Sequence, residues 1–256
     1  MTQTSFPAAT YGTSEFRVGR VIDRSFKVFT RNFIKFVLVT AVAAVPGVYF
    51  QTGMMSSSAG ASTGASDMMH IGVAAVVVWL LAIVLSTLSQ AVVLYGTFQD
   101  MRGRPVVLGD ALRVGLSRFF PLIGLAICSG IALLVGFLLL LVPGFILLAV
   151  WYVATPACVV ERRGPIESMS RSADLTRGFR WKVFGLIVVL ALAQSIAGGS
   201  LTAVVAKLSL TVNAVVLLVW GALFGAYSAI AVAVTYHDLR VAKEGIDIER
   251  ITAVFD

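Results

Sequence analysis

Long uncharged stretches alternate with short charged ones along this 256-residue chain. A helix needs about 20 apolar residues to cross the hydrocarbon of a bilayer. The uncharged stretches 36–66, 68–99, 183–206 and 208–237 are each long enough for one crossing. Residues 119–160 are about twice as long as one crossing needs, and Val142-Pro143-Gly144 marks a turn near their middle. The pattern therefore predicts six spans, near residues 33–52, 70–98, 119–141, 144–160, 182–206 and 210–237.

Three charged segments before the odd-numbered spans have the spacing of amphipathic helices, near residues 16–31, 106–118 and 166–177. In the first, cations recur every three or four residues, which places them on one helical face. These cations are Arg17, Arg20, Arg24, Lys27 and Arg31. We expect Ile22, Phe26 and Phe29 on the other face to turn toward the acyl chains, as in helices that lie in the headgroup layer.

The order of a short helix followed by two spans occurs three times. The segments that leave the even-numbered spans are also alike, since residues 95–105, 155–165 and 235–245 each pass from apolar residues through an acid to arginine. A threefold internal repeat explains this likeness, and so does a shared bias of composition.

Composition and charge agree with an all-α integral membrane protein. Apolar residues make up 58% of the chain and charged residues 13%, and the mean hydropathy is +0.92, which is too apolar for a soluble domain. The spans are too long and too uniformly apolar for barrel strands. Of the 20 basic residues, 19 fall on one side and only Lys207 on the other. Because Lys and Arg accumulate in cytoplasmic loops, we expect a bacterial inner-membrane protein with both termini in the cytoplasm.

One membrane domain and two short tails make up the predicted organisation. Residues 1–14 are expected to be disordered, residues 15–245 to form the membrane domain, and residues 246–256 to form a cytoplasmic tail. Residues 53–68 are small and polar and are predicted to form the loop between the first two spans. The net charge of +7 lies on the cytoplasmic side, so the basic composition requires no nucleic-acid partner.

The basic face indicates membrane lipids as partners. Each Lys or Arg near an anionic bilayer surface contributes about 1 kcal/mol of attraction. The residues predicted to bind anionic headgroups are Arg17, Arg20, Arg24, Lys27, Arg31, Arg162, Arg163 and Arg177. The alternative is that these cations only anchor and orient the helices, and the sequence leaves both interpretations open.

Little in the spans indicates chemistry. No charged residue lies deep in a span, and the two histidines and two cysteines have no metal-binding spacing. We therefore predict no catalytic residue, no metal and no cofactor. Gln90, Gln194 and Asn213 are candidates for a polar path, although such residues also join helices by hydrogen bonds. Gly221 and Gly225 form a GxxxG step, which predicts close helix packing inside the bundle, with a second copy, or with a partner membrane protein.

Part of the chain resembles a known family. The resemblance is carried by Val18-Gly19-Arg20-Val21-Ile22, Val142-Pro143-Gly144, Pro156, residues 160–165, Ser172, residues 175–178, Trp181, Phe184 and Tyr236-His237-Asp238-Leu239-Arg240. These residues are similar to the membrane domain attached to some bacterial glycerophosphoryl diester phosphodiesterases, and to related stand-alone membrane proteins. In those enzymes the reaction belongs to a separate barrel domain with metal-binding acids and histidines, for which these 256 residues leave no room. The resemblance therefore implies a membrane domain without phosphodiesterase activity.

Three kinds of function remain open on the sequence. The first is a non-enzymatic membrane-organising or accessory protein whose basic face binds anionic lipid. The second is a transporter or lipid-translocating protein with a polar path between helical hairpins, and the third is an intramembrane enzyme. A carrier should have a cavity that reaches Gln90, Gln194 or Asn213, whereas an accessory protein should be a closed apolar bundle with an exposed basic face.

Overall fold

The computed structural model describes residues 16–57, 65–205 and 208–244, and the predicted tails, 1–14 and 246–256, lie outside these ranges. Within the described ranges every regular element is helical and none is a strand. Six helical stretches are long and apolar enough to cross a membrane. The chain is an all-α, multi-pass membrane protein.

The predicted order of a short helix followed by two spans occurs three times. The helices are α1 (Val18–Arg31), α2 (Phe33–Ser57), α3 (Ala65–Met101), α4 (Leu108–Ser117), α5 (Phe119–Leu139), α6 (Leu141–Trp151), α7 (Ala154–Val160), α8 (Pro165–Thr176), α9 (Arg180–Ala193), α10 (Gly199–Val205) and α11 (Leu210–Glu244). The three short helices that precede the pairs of spans are α1, α4 and α8. A π-helical turn, Gln194–Gly198, joins α9 to α10. The threefold internal repeat stays a prediction.

The largest difference from the predicted boundaries lies in the first hairpin. α2 continues to Ser57 and α3 begins at Ala65, so much of the predicted loop, 53–68, is helical. The small residues here extend helices that have already formed inside the spans, and extension costs little compared with nucleation. In the second hairpin the chain turns at Leu140, slightly before the predicted turn. Pro143 falls in the first turn of α6, where its missing N–H breaks no helical hydrogen bond.

The fourth and fifth spans are interrupted. The fourth consists of α6 and α7, with Tyr152 and Val153 between them. Pro156 has no N–H to donate to the carbonyl of Tyr152, four residues earlier, and the helix breaks at that point. The fifth span consists of α9 and α10, joined by the π-helical turn. Single turns of this kind occur frequently at functional sites.

The second half of α11 is the centre of the packed core. With 35 residues this helix is about 52 Å long at 1.5 Å per residue, well beyond the roughly 30 Å of bilayer hydrocarbon. From Ala226 to Leu239 nearly every side chain is buried, because α1, α2, α3, α7 and α8 surround this part. In the first half one face of the helix is exposed, with Val215 and Val219 on it, as expected of a lipid-facing surface.

Polar contacts bring several helix ends to the same end of the bundle. They join Arg31 with Asp100 at 2.8 Å, Arg24 with Asp238 at 2.8 Å, and Tyr236 with Glu161 at 2.7 Å. The start of the first span therefore lies beside the ends of the second, fourth and sixth. We call this region the charged end; it consists of α1, α4, α7, α8, the last turns of α3 and α11, the first turn of α9, and the segments that connect α3 to α4, α7 to α8 and α8 to α9.

α1 packs on the core of the charged end. Its buried residues are Val21, Ser25 and Val28. Ile22 and Phe29 also pack against the core, whereas Phe26 is exposed. Ile22 and Phe29 are half-buried against the core, so only part of each side chain is open to lipid. Contact of Ile22, Phe26 and Phe29 with the acyl chains stays a prediction. Helical spacing identifies an apolar face, but the spacing is the same whether lipid or another helix covers that face.

Candidate functional site

A network of ion pairs at the charged end is centred on Arg171 of α8. Its guanidinium Nε lies 2.8 and 3.1 Å from the two carboxylate oxygens of Glu161, and its Nη2 donates to Glu244. Arg163 also pairs with Glu161, at 2.7 Å, and Arg240 pairs with Glu244 at 2.8 Å. The network therefore connects the turn between α7 and α8 with the last turn of α11.

Glu161 is the most enclosed carboxylate of this network, with its side chain 10% exposed. Burial alone would raise the pKa of Glu161. Hydrogen bonds from Tyr236 and Arg171, together with the charges of Arg171 and Arg163, outweigh burial and hold the pKa of Glu161 below its usual value. The carboxylate is therefore ionised at neutral pH, and the network is a permanent connection rather than a proton switch.

The lowered pKa of Glu161 predicts an acid-sensitive contribution to stability. This contribution is complete above the unfolded-state pKa of about 4.3 and is lost as the pH falls through the lower folded-state value. Glu161→Gln removes it at every pH, so the difference in unfolding free energy between wild type and variant should shrink below about pH 4.3. Thermal unfolding of the purified protein in detergent over a pH series measures this difference. A difference that does not change with pH contradicts the pairing.

A set of exposed arginines at the charged end is not matched by acids. The acids of this region are largely engaged internally, since Asp100, Glu161, Asp238 and Glu244 each form an ion pair. We call the following the unpaired arginines, because they are exposed and form no ion pair with any residue that the structure describes: Arg20, Arg102, Arg104, Arg113, Arg162, Arg177 and Arg180. The surface of the charged end thus has an excess of positive charge.

The predicted headgroup ligands divide between paired and unpaired residues. Those that pair with an acid are Arg24 with Asp238, Lys27 with Asp23, Arg31 with Asp100, and Arg163 with Glu161. Arg20, Arg162 and Arg177 belong to the unpaired arginines, and Arg17 is exposed at the start of α1. The sequence pattern does not single out the other unpaired arginines, because only the positions of the acids distinguish them from paired ones.

Arg162 has an unusual backbone conformation. Its φ of 55° lies in the left-handed region, which residues other than glycine rarely adopt. The residue follows the C-cap of α7, at a position where glycine commonly ends a helix. An exposed, unpaired arginine is therefore held where glycine would fit better, at a backbone cost of about 1 kcal/mol. Strain of this kind points to a role for the side chain.

A polar groove lies between α2, α3, the π-helical turn and α11. It consists of two adjoining cavities of about 830 and 340 Å³ with several wall residues in common. Gln194 lines the larger cavity and Gln90 the smaller. Two of the three candidates for a polar path thus meet in one groove. Asn213 is buried elsewhere, and its Oδ1 has no hydrogen-bond partner among the described residues.

Hydroxyl and amide groups supply the polar part of the groove wall. They belong to Thr40, Ser86, Thr87, Ser89, Gln90, Gln194, Ser195, Thr202 and Ser228. The residues that line the groove include no acid and no base. Its chemistry is therefore the opposite of the charged end, which is dominated by guanidinium groups.

Gly221 and Gly225 form part of the groove wall. A Cβ atom at either position would meet no other atom within 4 Å. The close contact between α2 and α11 is made at the next residue, where the carbonyl of Ala222 accepts a hydrogen bond from Thr40 Oγ1 at 2.8 Å. Among the described residues nothing packs closely against the two glycines at their Cβ positions, and close packing there with a second copy or a partner membrane protein stays a prediction. The GxxxG spacing does not distinguish a helix contact from a groove wall, because each of them needs a helix face without side chains.

The described part of the chain shows no cluster of three or more His, Cys, Asp or Glu side chains that could hold a metal. Cys128 and Cys158 are free thiols, the first exposed and the second buried.

Comparison with known proteins concerns nearly the whole helical bundle. A family model matches residues 16–239, from just before α1 to within the last turns of α11. The chain belongs to the family described as Domain of unknown function (DUF7847). No curated protein and no solved structure matches it. The DUF7847 match contains the groove and the unpaired arginines, so both are part of the family's domain in this chain. The description says nothing of glycerophosphoryl diester phosphodiesterases, and that resemblance stays an expectation.

Proposed function

We propose that the protein binds anionic lipid headgroups at its charged end, as a non-enzymatic membrane-organising or accessory protein. The observation that carries this proposal is the set of unpaired arginines. Four of the nearby acids are engaged in internal ion pairs: Asp100, Glu161, Asp238 and Glu244. The exposed acids Asp110, Glu167 and Asp174 are fewer than the unpaired arginines and leave most of these guanidinium groups without neutralisation. At about 1 kcal/mol for each cation near an anionic surface, several of them together hold such lipids at the protein.

Exposed apolar side chains at the charged end support contact with the headgroup layer. Phe26, Ile166 and Trp181 have exposed fractions of 59%, 76% and 85%, and aromatic residues are typical of membrane interfaces. By the positive-inside rule, the charged end faces the cytoplasm. The proposed location is therefore the inner membrane of a bacterium, with both termini in the cytoplasm and the arginines beside the anionic leaflet.

Replacing Arg162 by glycine tests this function without weakening the fold. Arg162→Gly removes one unpaired guanidinium and places glycine at a φ that suits it, so the unfolding free energy should stay unchanged or rise by up to about 1 kcal/mol. Loss of about 1 kcal/mol of attraction should lower retention of phosphatidylglycerol about fivefold. Native mass spectrometry of the purified protein with phosphatidylglycerol measures the retention.

Arg163→Gln is the matched control for this experiment, because Arg163 is the neighbouring residue but already pairs with Glu161. It should lower the retention of phosphatidylglycerol less than Arg162→Gly does. The reduction caused by Arg162→Gly should also become smaller in high salt, since exposed charges are screened. Wild-type retention in the Arg162→Gly variant would show that this end does not recognise anionic headgroups through the unpaired arginines.

The groove favours a second candidate function, transport or lipid translocation. An accessory protein needs only a closed apolar bundle, whereas a carrier needs a cavity beside polar groups in the spans. The groove beside Gln90 and Gln194 is such a cavity. Catalysis is not part of either proposal.

A further inference from the structure

We propose that the polar groove binds the neutral, hydroxyl-rich headgroup of a glycolipid. The groove and the charged end use different residues and different chemistry, and this proposal does not require the arginines to bind lipid. It holds whether or not the bound molecule is subsequently moved across the membrane.

The hydroxyl groups of the groove act mainly as acceptors toward a ligand. Four of them already donate their single hydrogen to a backbone carbonyl of their own helix, and the hydrogen of Thr40 is shared with a carbonyl of α11. These bonds are Thr40 to Phe36 and Ala222, Ser86 to Ile83, Thr87 to Ile83, and Thr202 to Gly198, all between 2.8 and 2.9 Å. Each oxygen keeps a lone pair for a donor in the groove. A matching ligand therefore needs several donors of its own.

The amide groups supply the complementary donors. Gln194 accepts a hydrogen bond from Trp220 Nε1 at 3.1 Å through its Oε1, which leaves its NH₂ group for a ligand. Gln90 forms no side-chain hydrogen bond with any residue that the structure describes. Ser89 Oγ is buried at the groove and likewise has no partner among the described residues. A buried polar atom without a partner costs free energy, and the half-buried amides of Gln90 and Gln194 supply donors beside Ser89 Oγ. Together the three groups favour a polar occupant.

Neutrality of the wall selects against charged headgroups. A phosphate needs donors and a nearby cation, and the groove lining contains no Lys or Arg. An ammonium group needs a nearby acid, and the lining contains no Asp or Glu. A sugar has neutral hydroxyl groups that both donate and accept, which matches acceptor hydroxyls and donor amides in one site.

Aromatic and apolar residues complete the fit to a glycolipid. Trp79 and Trp220 line the larger cavity, and indole faces suit the C–H faces of a sugar ring because their surface is negative. Trp220 is held in place by stacking on Phe224, at 6.3 Å between ring centroids. Val48 and Leu217 line the same cavity and can contact the start of an acyl chain. The volume of about 830 Å³ lies within the usual range for small-molecule sites, roughly 300–1,000 Å³.

The π-helical turn has a direct role in this geometry. Gly198 is the last residue of the turn, and a Cβ there would lie 2.8 Å from Trp220 Nε1. The absence of a side chain at Gly198 thus permits the indole to reach Gln194 and fix its amide. The irregular backbone and the orientation of the amide are parts of the same arrangement.

The experiment compares three lipids with identical acyl chains on the purified full-length protein. They are monoglucosyl-diacylglycerol, diacylglycerol and phosphatidylglycerol, and native mass spectrometry measures how much of each is retained. Wild type should retain the glucosyl lipid about tenfold better than diacylglycerol. Gln90→Leu combined with Gln194→Leu should remove this preference, because two hydrogen bonds to the headgroup correspond to about tenfold or more in affinity. Gln99→Leu makes the same change outside the groove, and this variant should keep the preference for the glucosyl lipid.

A second variant blocks the groove without removing a polar group. Gly221 lines both cavities and has open space beyond its Cα, so Gly221→Leu should fill the groove and abolish the preference for the glucosyl lipid. Gly185→Leu is its control, since a Cβ there also meets nothing within 4 Å and Gly185 lines neither cavity of the groove.

The outcomes separate this proposal from binding at the charged end. Arg162→Gly should leave retention of the glucosyl lipid unchanged, and the groove variants should leave retention of phosphatidylglycerol unchanged. Equal retention of the glucosyl lipid and diacylglycerol by wild type overturns the groove proposal. A preference that persists in Gly221→Leu overturns it as well, even if the glutamine variants fail to fold.

Discussion

Replacing Arg171 by glutamine is expected to lower the unfolding free energy by about 3 kcal/mol, the largest single effect of a polar substitution at the charged end. Arg171 lies between two carboxylates, Glu161 and Glu244, and its side chain is only 19% exposed. Without its charge the two acids lose a shared partner in a partly buried site. Thermal unfolding in detergent, followed by fluorescence or by size-exclusion chromatography, should show a markedly lower Tm.

Arg177→Gln is the matched control, because Arg177 is exposed at the end of the same helix and belongs to the unpaired arginines. Its Tm should equal that of wild type. A triple variant tests the cause, since removing both acids together with Arg171 leaves no unpaired carboxylate in the partly buried site. Arg163 and Arg240 lose their partners in this variant, but their side chains are 44% and 36% exposed and remain solvated. Arg171→Met with Glu161→Gln and Glu244→Gln should recover at least half of the lost stability. A single variant as stable as wild type would show that the network does not hold the charged end together.

The second large effect is expected from Gly96→Leu in α3, at about 3 kcal/mol of lost stability. A Cβ at this position would lie 2.7 Å from Phe36 Cε1 and 3.0 Å from Val106 Cγ1. Both neighbours are buried in the core, so they have no space into which to move. The substitution should therefore separate α2 from α3 at the charged end and lower the yield of folded protein as well as its Tm.

Gly130→Leu in α5 provides the comparison for this effect. Gly130 is also inside a span, but it is exposed and a Cβ there meets nothing within 4 Å. Helix propensity changes by the same amount in both variants and favours leucine, so packing alone distinguishes them. Equal stability of the two variants would contradict the close approach of Phe36 and Gly96.

The spans could be predicted because their signal is local. Hydropathy over about 20 residues identifies a crossing helix whatever its neighbours are, and Pro143 and Gly144 marked the hairpin to within a few residues. The interruptions of the fourth and fifth spans are harder to predict from the sequence. Pro156 predicts a distortion in the fourth span, but nothing in the sequence around Gln194 and Gly198 distinguishes a π-helical turn from a regular one.

The ion pairs and the groove depend on contacts between residues far apart in the chain. Arg24 and Asp238 are separated by 214 residues, so helical spacing revealed the stripe of cations on α1 but not which of them are neutralised. Gln90 and Gln194 stood out as polar residues in apolar spans. They line one groove because α3 and the π-helical turn both pack beside α11. The pattern of residues in a single sequence does not show that these helices pack together.

α11 connects the groove with the charged end through one continuous helix. Gly221 in the groove wall and Glu244 in the ion-pair network lie on this one unbroken helix, about 34 Å apart along its axis. A rigid rod of that length converts a rotation of 5° at the groove into a displacement of about 3 Å at Glu244. The salt bridges at Glu244 are therefore expected to resist rotation of the helix, and we expect variants that weaken them to change the width of the groove.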